Sequence, residues 1–425
     1  YGYARLMTYD KSFNLHPDIL ANVEVKEGRV FTLRLRKGHR WSDGTPFTTE
    51  DFRYWWDDVA NHKKLSPLGP PKQMVVAGEP ANFKVIDTHT IQFSWSTPNP
   101  HFLPALAAST PLYIYRPAHY MKKFHADYAA SVKLEAMVKK SGRQNWAALH
   151  NKLDNQYKND NPDLPTLQPW VLRTKPPSQR FIFERNPYFH RVDQNGRQLP
   201  YIDQVAMSVA AAGVIPLKTG AGESDLQARG IAFSNYTFLK EAEKRENFRV
   251  KLWQTAKGAH LALFPNMNAK DEIWRALMRN VQFRRALSLA INRREINQVI
   301  YYGLAIEGQN TVLPASPLHK TFYQNAWAQF DIKQANTILD GLGLTKRDSR
   351  GVRLLPDGRP MEIIVETAGE DTEQTDVLEL IHDSWLAAGI KLFTRPSQRE
   401  VFRNRIFAGE TLVSIWSGHE FGIPN

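Results

Sequence analysis

Apolar and polar residues alternate at Phe31, Leu33 and Leu35, a period of two that predicts a strand with one buried face. The chain then runs through Arg36-Lys37-Gly38 into Trp41-Ser42-Asp43-Gly44-Thr45-Pro46-Phe47. There Asp43-Gly44 tolerates a positive φ and Pro46 fixes the exit from a turn. From Thr48 the period changes. Thr48 or Thr49 can accept from free amides, and Glu50 and Asp51 put negative charge at the positive end of a helix dipole. Phe52, Trp55, Trp56 and Val59 recur at helical spacing, which predicts one aromatic, buried face. On its own such a stretch is ordinary packing, with Trp41, Trp55 and Trp56 as core.

The same two periods organise the rest. The first thirty residues read as a hairpin-like segment, and 66–71 is a Pro- and Gly-rich loop. The segments 83–87 and 90–95 alternate as two strands about a polar turn, and 132–158 reads as an amphipathic helix with Trp146, Leu149, Leu153 and Tyr157 on one face. Strands are expected over 180–189 and 248–253. Phe283, Leu287, Ala290 and Ile291 define a helix that Asn292 ends before a second one reaching Tyr301. Further on, helix is expected over 331–344, 377–388 and 402–407, and strand over 361–365, 390–393 and 412–418. Strand and helix alternating in this way predict an α/β lobe.

With 425 residues the chain is too long for one core. No run of eighteen apolar residues exists, so no membrane-spanning helix is expected. Zero cysteines exclude disulfides, thiolate metal sites and cysteine nucleophiles. The formal charge of +12 raises nucleic acid as a partner, but the Lys and Arg residues are scattered among acids and form no long tract. A basic nucleic-acid-binding protein is therefore the weaker reading. Thirteen histidines raise an enzyme. No metal or nucleophile motif stands in a supporting context, and no two carboxylates pair as a glycosidase requires. Gly220-Ala221-Gly222 lacks the lysine that a phosphate loop needs.

Arg36-Lys37-Gly38 with Trp41-Ser42-Asp43-Gly44-Thr45-Pro46-Phe47-Thr48 and Glu50-Asp51 closely resembles the signature of the family 5 extracellular solute-binding proteins, the peptide, nickel and oligosaccharide receptors of bacterial ABC importers. Two more stretches match that family in order: Asn186-Pro187-Tyr188 with Pro200-Tyr201-Ile202-Asp203, and the run 280–296 with its Arg284-Arg285, Ala286-Leu287, Ala290-Ile291 and Asn292-Arg293. An added helix and Pro-Trp segment near 132–170 resembles the larger members.

The resemblance implies an α/β, type II periplasmic-binding-protein fold: two lobes with a hinge, and a peripheral subdomain. It implies residues 1–165 as that subdomain with part of lobe I, 166–254 as lobe I, 255–410 as lobe II, and 411–425 as a strand returning towards lobe I. Both ends are expected to be truncated, with a signal peptide outside this chain. It further implies a periplasmic monomer without cofactor, metal, nucleic-acid partner or catalytic role, which delivers a small-molecule or peptide ligand to a permease and ATPase at the inner membrane. Closing two lobes on a ligand from a 1:99 to a 99:1 population needs about 5.5 kcal/mol of differential affinity.

Peptide receptors of the family end the returning strand in a Trp-x-x-Asp-x-x-Asp-Pro type segment whose aspartate holds the peptide amino group. Here the run is Trp416-Ser417-Gly418-His419-Glu420-Phe421-Gly422-Ile423-Pro424, without aspartate. Glu420 is the substitute on offer, with a longer reach. The expected ligand-binding residues are Trp416, Ser417, Gly418, His419 and Glu420, with Tyr1, Tyr3, Tyr113 and Trp253 as further aromatic candidates. An oligopeptide is the first expectation for the ligand, and an oligosaccharide or glycoside the second.

Overall fold

The first 26 residues already lay down three strands. β1 (Met7–Tyr9) pairs antiparallel with β2 (Leu15–Pro17), and β3 (Leu20–Lys26) turns back on β4 (Val30–Leu35). The structure is a computed structural model and describes all residues except 1–3, 11, 13, 109, 156–157, 159, 254–256, 315, 370–371 and 420–425. It divides into two units, Tyr1–Val209 and Ala210–Asn425.

In the first unit a short ladder joins β5 (Val75–Val76) to β6 (Glu79–Pro80), and β7 (Asn82–Asp87) pairs with β8 (Thr90–Ser94). The main sheet has the order β3-β4-β8-β7 and is antiparallel throughout. Phe31, Leu33 and Leu35 are buried while their neighbours along β4 are not, so the period of two is the buried face. Beyond β4, Gly44 takes φ 86°. A Cβ there would stand 3.0 Å from the Tyr188 hydroxyl, so two sequence signatures meet at a position where any side chain would be strained.

Thr48 caps the helix Thr49–Arg53, with Asp51 accepting from the Thr48 amide in a capping box. The helix then widens into a π-helical stretch, Tyr54–Ala60. Phe52, Trp55, Trp56 and Val59 are buried as their spacing predicts, and so is Tyr54. Full burial of each large apolar side chain stabilises by about 1.5–3 kcal/mol. The helix expected over 132–158 is two helices, Ser131–Ser141 and Trp146–Leu153. Gly142 at φ 65° ends the first, and Asn145 caps the second through the Ala148 amide. A separate three-stranded sheet, order β11-β10-β9, is formed by β9 (Trp170–Leu172), β10 (Arg180–Arg185) and β11 (Gln204–Ser208).

The second unit carries the α/β pattern. Its sheet has the order β12-β15-β13-β14, from β12 (Ala262–Pro265), β13 (Glu362–Thr367), β14 (Lys391–Pro396) and β15 (Val413–Trp416). β13 runs parallel to both β14 and β15, and β12 runs antiparallel to β15. Parallel neighbours need a crossover, which the helices Glu373–Ala387 and Arg399–Phe407 provide. Strands inside such a sheet are covered on both faces, and Val413, Ser414 and Ile415 are all buried. Asn280 and Asn292 cap the successive helices Val281–Leu289 and Arg293–Tyr301. No strand forms over 248–253. The apolar residues there meet no neighbouring strand, and Leu252 and Trp253 stay exposed, while the preceding helix Tyr236–Glu246 went unread in the sequence.

Candidate functional site

In open α/β sheets ligands gather at the carboxyl ends of the parallel strands. In the second unit that end carries the segment after Trp416, the loop after Thr367 and the approach to Ala262, whose register partner is Trp416. Three backbone segments close up there. The Gly418 amide donates to the Ala259 carbonyl at 2.9 Å, and the Gly258 amide to the His419 carbonyl at 2.8 Å. The Asn310 side-chain oxygen accepts from the His419 amide at 3.0 Å. A Cβ on Gly418 would lie 2.7 Å from the Ala259 nitrogen and collide with Asn310 Oδ1, so close backbone approach requires glycine.

Trp416 is half-buried. Its ring packs on Phe402 with centroids 5.9 Å apart, and the Arg399 guanidinium stands 4.9 Å over it, a cation-π pair that fixes the indole. Close to the opening of the helix Glu373–Ala387 sits a buried carboxylate. Glu373 Oε1 lies 2.9 Å from His260 Nε2 and accepts from the Tyr301 hydroxyl at 2.8 Å. Burial pushes this carboxyl up, but the His260 and Tyr301 bonds, with the Lys257 charge nearby, overcome it and hold it below the usual carboxylate range. It is therefore ionised at neutral pH. The His260 ring rests edge-on against Tyr301, centroids 5.6 Å apart. Gln374 Oε1 and Ser397 Oγ are buried without a hydrogen-bond partner among the described residues.

Of the residues expected from sequence, Trp416, Ser417, Gly418 and His419 stand together at this strand end, with Ser417 half-buried and His419 exposed. Glu420, Tyr1 and Tyr3 lie outside the described residues. Tyr113 belongs to the first unit, packed edge-on to Tyr115 at 6.0 Å as part of that unit's core. Trp253 lies in a loop of the second unit and is 77% exposed. His260, Tyr301, Asn310 and Glu373 were not singled out. Glu373 had a signal, since an acidic residue opening the helix after a strand sits where ligands of α/β sheets bind. His260 and Tyr301 are distant in sequence from it and carried none.

Residues 14–422 match the profile of the bacterial extracellular solute-binding proteins, family 5 Middle. A periplasmic alpha-galactoside-binding protein of Rhizobium meliloti (strain 1021) is 25% identical over 370 residues, covering 80% of this chain and 48% of its own length. A solved oligopeptide-binding protein OppA is 34% identical with TM-score 0.65, covering 99% of this chain and 66% of that one. The periplasmic binding protein MelB of Agrobacterium fabrum C58, solved with stachyose, gives TM-score 0.74 at 21% identity over 98% of this chain and 62% of that one. The fold is the type II periplasmic-binding-protein fold. The chain belongs to the family 5 bacterial extracellular solute-binding proteins. It spans about half the length of the curated relatives it matches first. Among the described residues no helix is long and apolar enough to cross a membrane.

Proposed function

We propose that the chain is the solute-capturing component of a periplasmic ABC importer, which hands its ligand to an inner-membrane permease and ATPase and performs no chemistry of its own. The ligand is a glycoside or oligosaccharide. The observation that carries this choice is the engagement of Glu373: its Oε1 already lies 2.9 Å from His260 Nε2 and accepts from the Tyr301 hydroxyl, so neutral hydroxyl donors fit beside it better than a peptide ammonium, which would have to displace His260. The half-buried Trp416, held by Phe402 and Arg399, leaves part of its indole exposed as apolar surface against which a sugar ring can pack. Kinship with an alpha-galactoside-binding protein over 370 residues supports the same choice.

The first expectation from sequence, an oligopeptide, remains as a second reading, favoured by the 34% identity with the oligopeptide-binding protein OppA. In that reading Glu420 takes the place of the missing aspartate. Native mass spectrometry of the chain, purified without refolding and incubated with an α-galactoside and with a mixed peptide pool, tests the two. Adducts of the α-galactoside mass support the first reading, and adducts from the peptide pool alone support the second. Tight, salt-dependent nucleic-acid binding with neither adduct would overturn both.

A further inference from the structure

His62, His125 and Asp127, in the first unit, each bring one metal-ligating atom to within 4.8 Å of the others. Nothing in the solute-binding role calls for them. His62 follows the π-helical stretch Tyr54–Ala60, and His125 follows the short helix Lys122–Phe124. The grouping is thus made by the fold and is invisible in sequence.

The details suit a metal. His125 is fully buried, and its Nδ1 takes the Asp127 amide hydrogen at 3.2 Å. Its other nitrogen, Nε2, therefore carries the hydrogen and donates to the Asp58 carbonyl at 3.0 Å. That is how ligating histidines are held: one ring N–H anchored on a carbonyl, the other nitrogen offering its lone pair. Asp127 Oδ2 is already 3.8 Å from His125 Nδ1, and its side chain is 67% exposed and free to rotate inward. His62 is half-buried, and its Nδ1 takes the Lys64 amide hydrogen at 3.2 Å. Both amide contacts sit at the long end of the hydrogen-bond range and are the ones a metal would replace. Tetrahedral coordination at metal–nitrogen distances near 2.0–2.1 Å puts ligand atoms about 3.3 Å apart, a contraction that two accessible side chains can make.

Trp146 walls the group, its ring centroid 4.8 Å from that of His125 and 5.3 Å from that of His62. Trp146 also lines an open recess of ≈ 500 Å³ with Lys64, Asn145 and Asn151. We propose that His62, His125 and Asp127 form a transition-metal site that ties the end of the π-helical stretch to the loop after Lys122–Phe124. Two imidazoles and one carboxylate, without thiolate, suit a borderline divalent ion such as Zn²⁺, with a water as fourth ligand. Bound metal staples the first unit and takes no part in solute capture.

The test is titration of the chelator-stripped full chain with Zn²⁺ against a competing chromophoric chelator, alongside His62→Ala, Asp127→Ala and, as a control, His16→Ala. One equivalent binds with a Kd tighter than about 100 µM and raises the melting temperature of the parent. Removing either ligand weakens binding by about tenfold or more. The control binds as the parent does, and added Zn²⁺ raises the melting temperature of the control but of neither His62→Ala nor Asp127→Ala, each compared with its own metal-free form. Binding weaker than that limit, or binding untouched by His62→Ala and Asp127→Ala, overturns the proposal.

Discussion

The Trp41 indole N–H donates to the Asp51 carboxylate at 3.1 Å, inside the core of the first unit. Asp51 also accepts from the Thr48 and Ala118 amides, each at 3.0 Å, so one carboxylate ties the turn, the helix start and a third segment together. Burial pushes this carboxyl up to about 6, and its N–H donors pull against that shift. Trp41→Phe keeps most of the packing but leaves a buried acceptor short of a donor. We expect a loss of about 1–3 kcal/mol in urea unfolding of the first unit. Unchanged stability would show that the amide donors alone suffice.

His39 is buried, and neither ring nitrogen has a hydrogen-bond partner among the described residues. Burial, with the His190 and Arg36 charges beside it, pulls it down to about 4, and the Asp18 charge works the other way. Asp18 itself is held by His190 at 2.8 Å and by Arg191. A histidine depressed in the folded state contributes stability that is full above its unfolded pKa near 6.5 and is lost as pH falls from there towards 4. His39→Phe keeps a ring against Phe47, now 5.5 Å away, and removes the titration. Urea unfolding at pH 7 and pH 4.5 is the check. The parent should lose about 2 kcal/mol more than the variant across that interval. An equal loss in both proteins would mean that other groups govern the acid response.

Gly418 is required by contact, not by φ. Gly418→Ala drives a methyl into Ala259 and Asn310, and should destabilise the second unit by about 1–3 kcal/mol. Gly341 is the control. It ends the helix Ile332–Gly341 with open space around it, and Gly341→Ala should be neutral or stabilising by up to about 1 kcal/mol. Thermal unfolding of the two variants separates the cases. A Gly418→Ala protein as stable as the control would place the three backbones further apart than described.

Local chemistry was legible in the sequence wherever neighbours along the chain decide the outcome. The β4 alternation, the Thr48 cap, the Gly44 turn and the buried Trp41, Trp55 and Trp56 all follow from spacing. The interruption at Gly142 was missed because amphipathic spacing continues across it, although a glycine between two apolar faces is the signal. The segment 248–253 misled because alternation without a partner strand makes no sheet. Trp416 to His419 are candidates through resemblance to the family, which says nothing of Glu373, His260 and Tyr301. That group exists only because the strand order brings the segment before β12 near the helix that follows β13, while the helix Arg293–Tyr301 packs against that same helix.

Solute capture at that sheet end is the central claim, and calorimetric titration of an α-galactoside into the parent, Glu373→Gln and Trp416→Ala tests it most directly. Gln keeps the shape of Glu373 and removes the charge to which the proposed ligand's hydroxyls would donate. Hydrogen bonds to charged groups are worth about 1.5–3 kcal/mol, so binding should weaken about tenfold or more in Glu373→Gln. Trp416→Ala should weaken it as well, through the lost stacking surface. Sugar affinity that is the same in all three proteins would contradict the account.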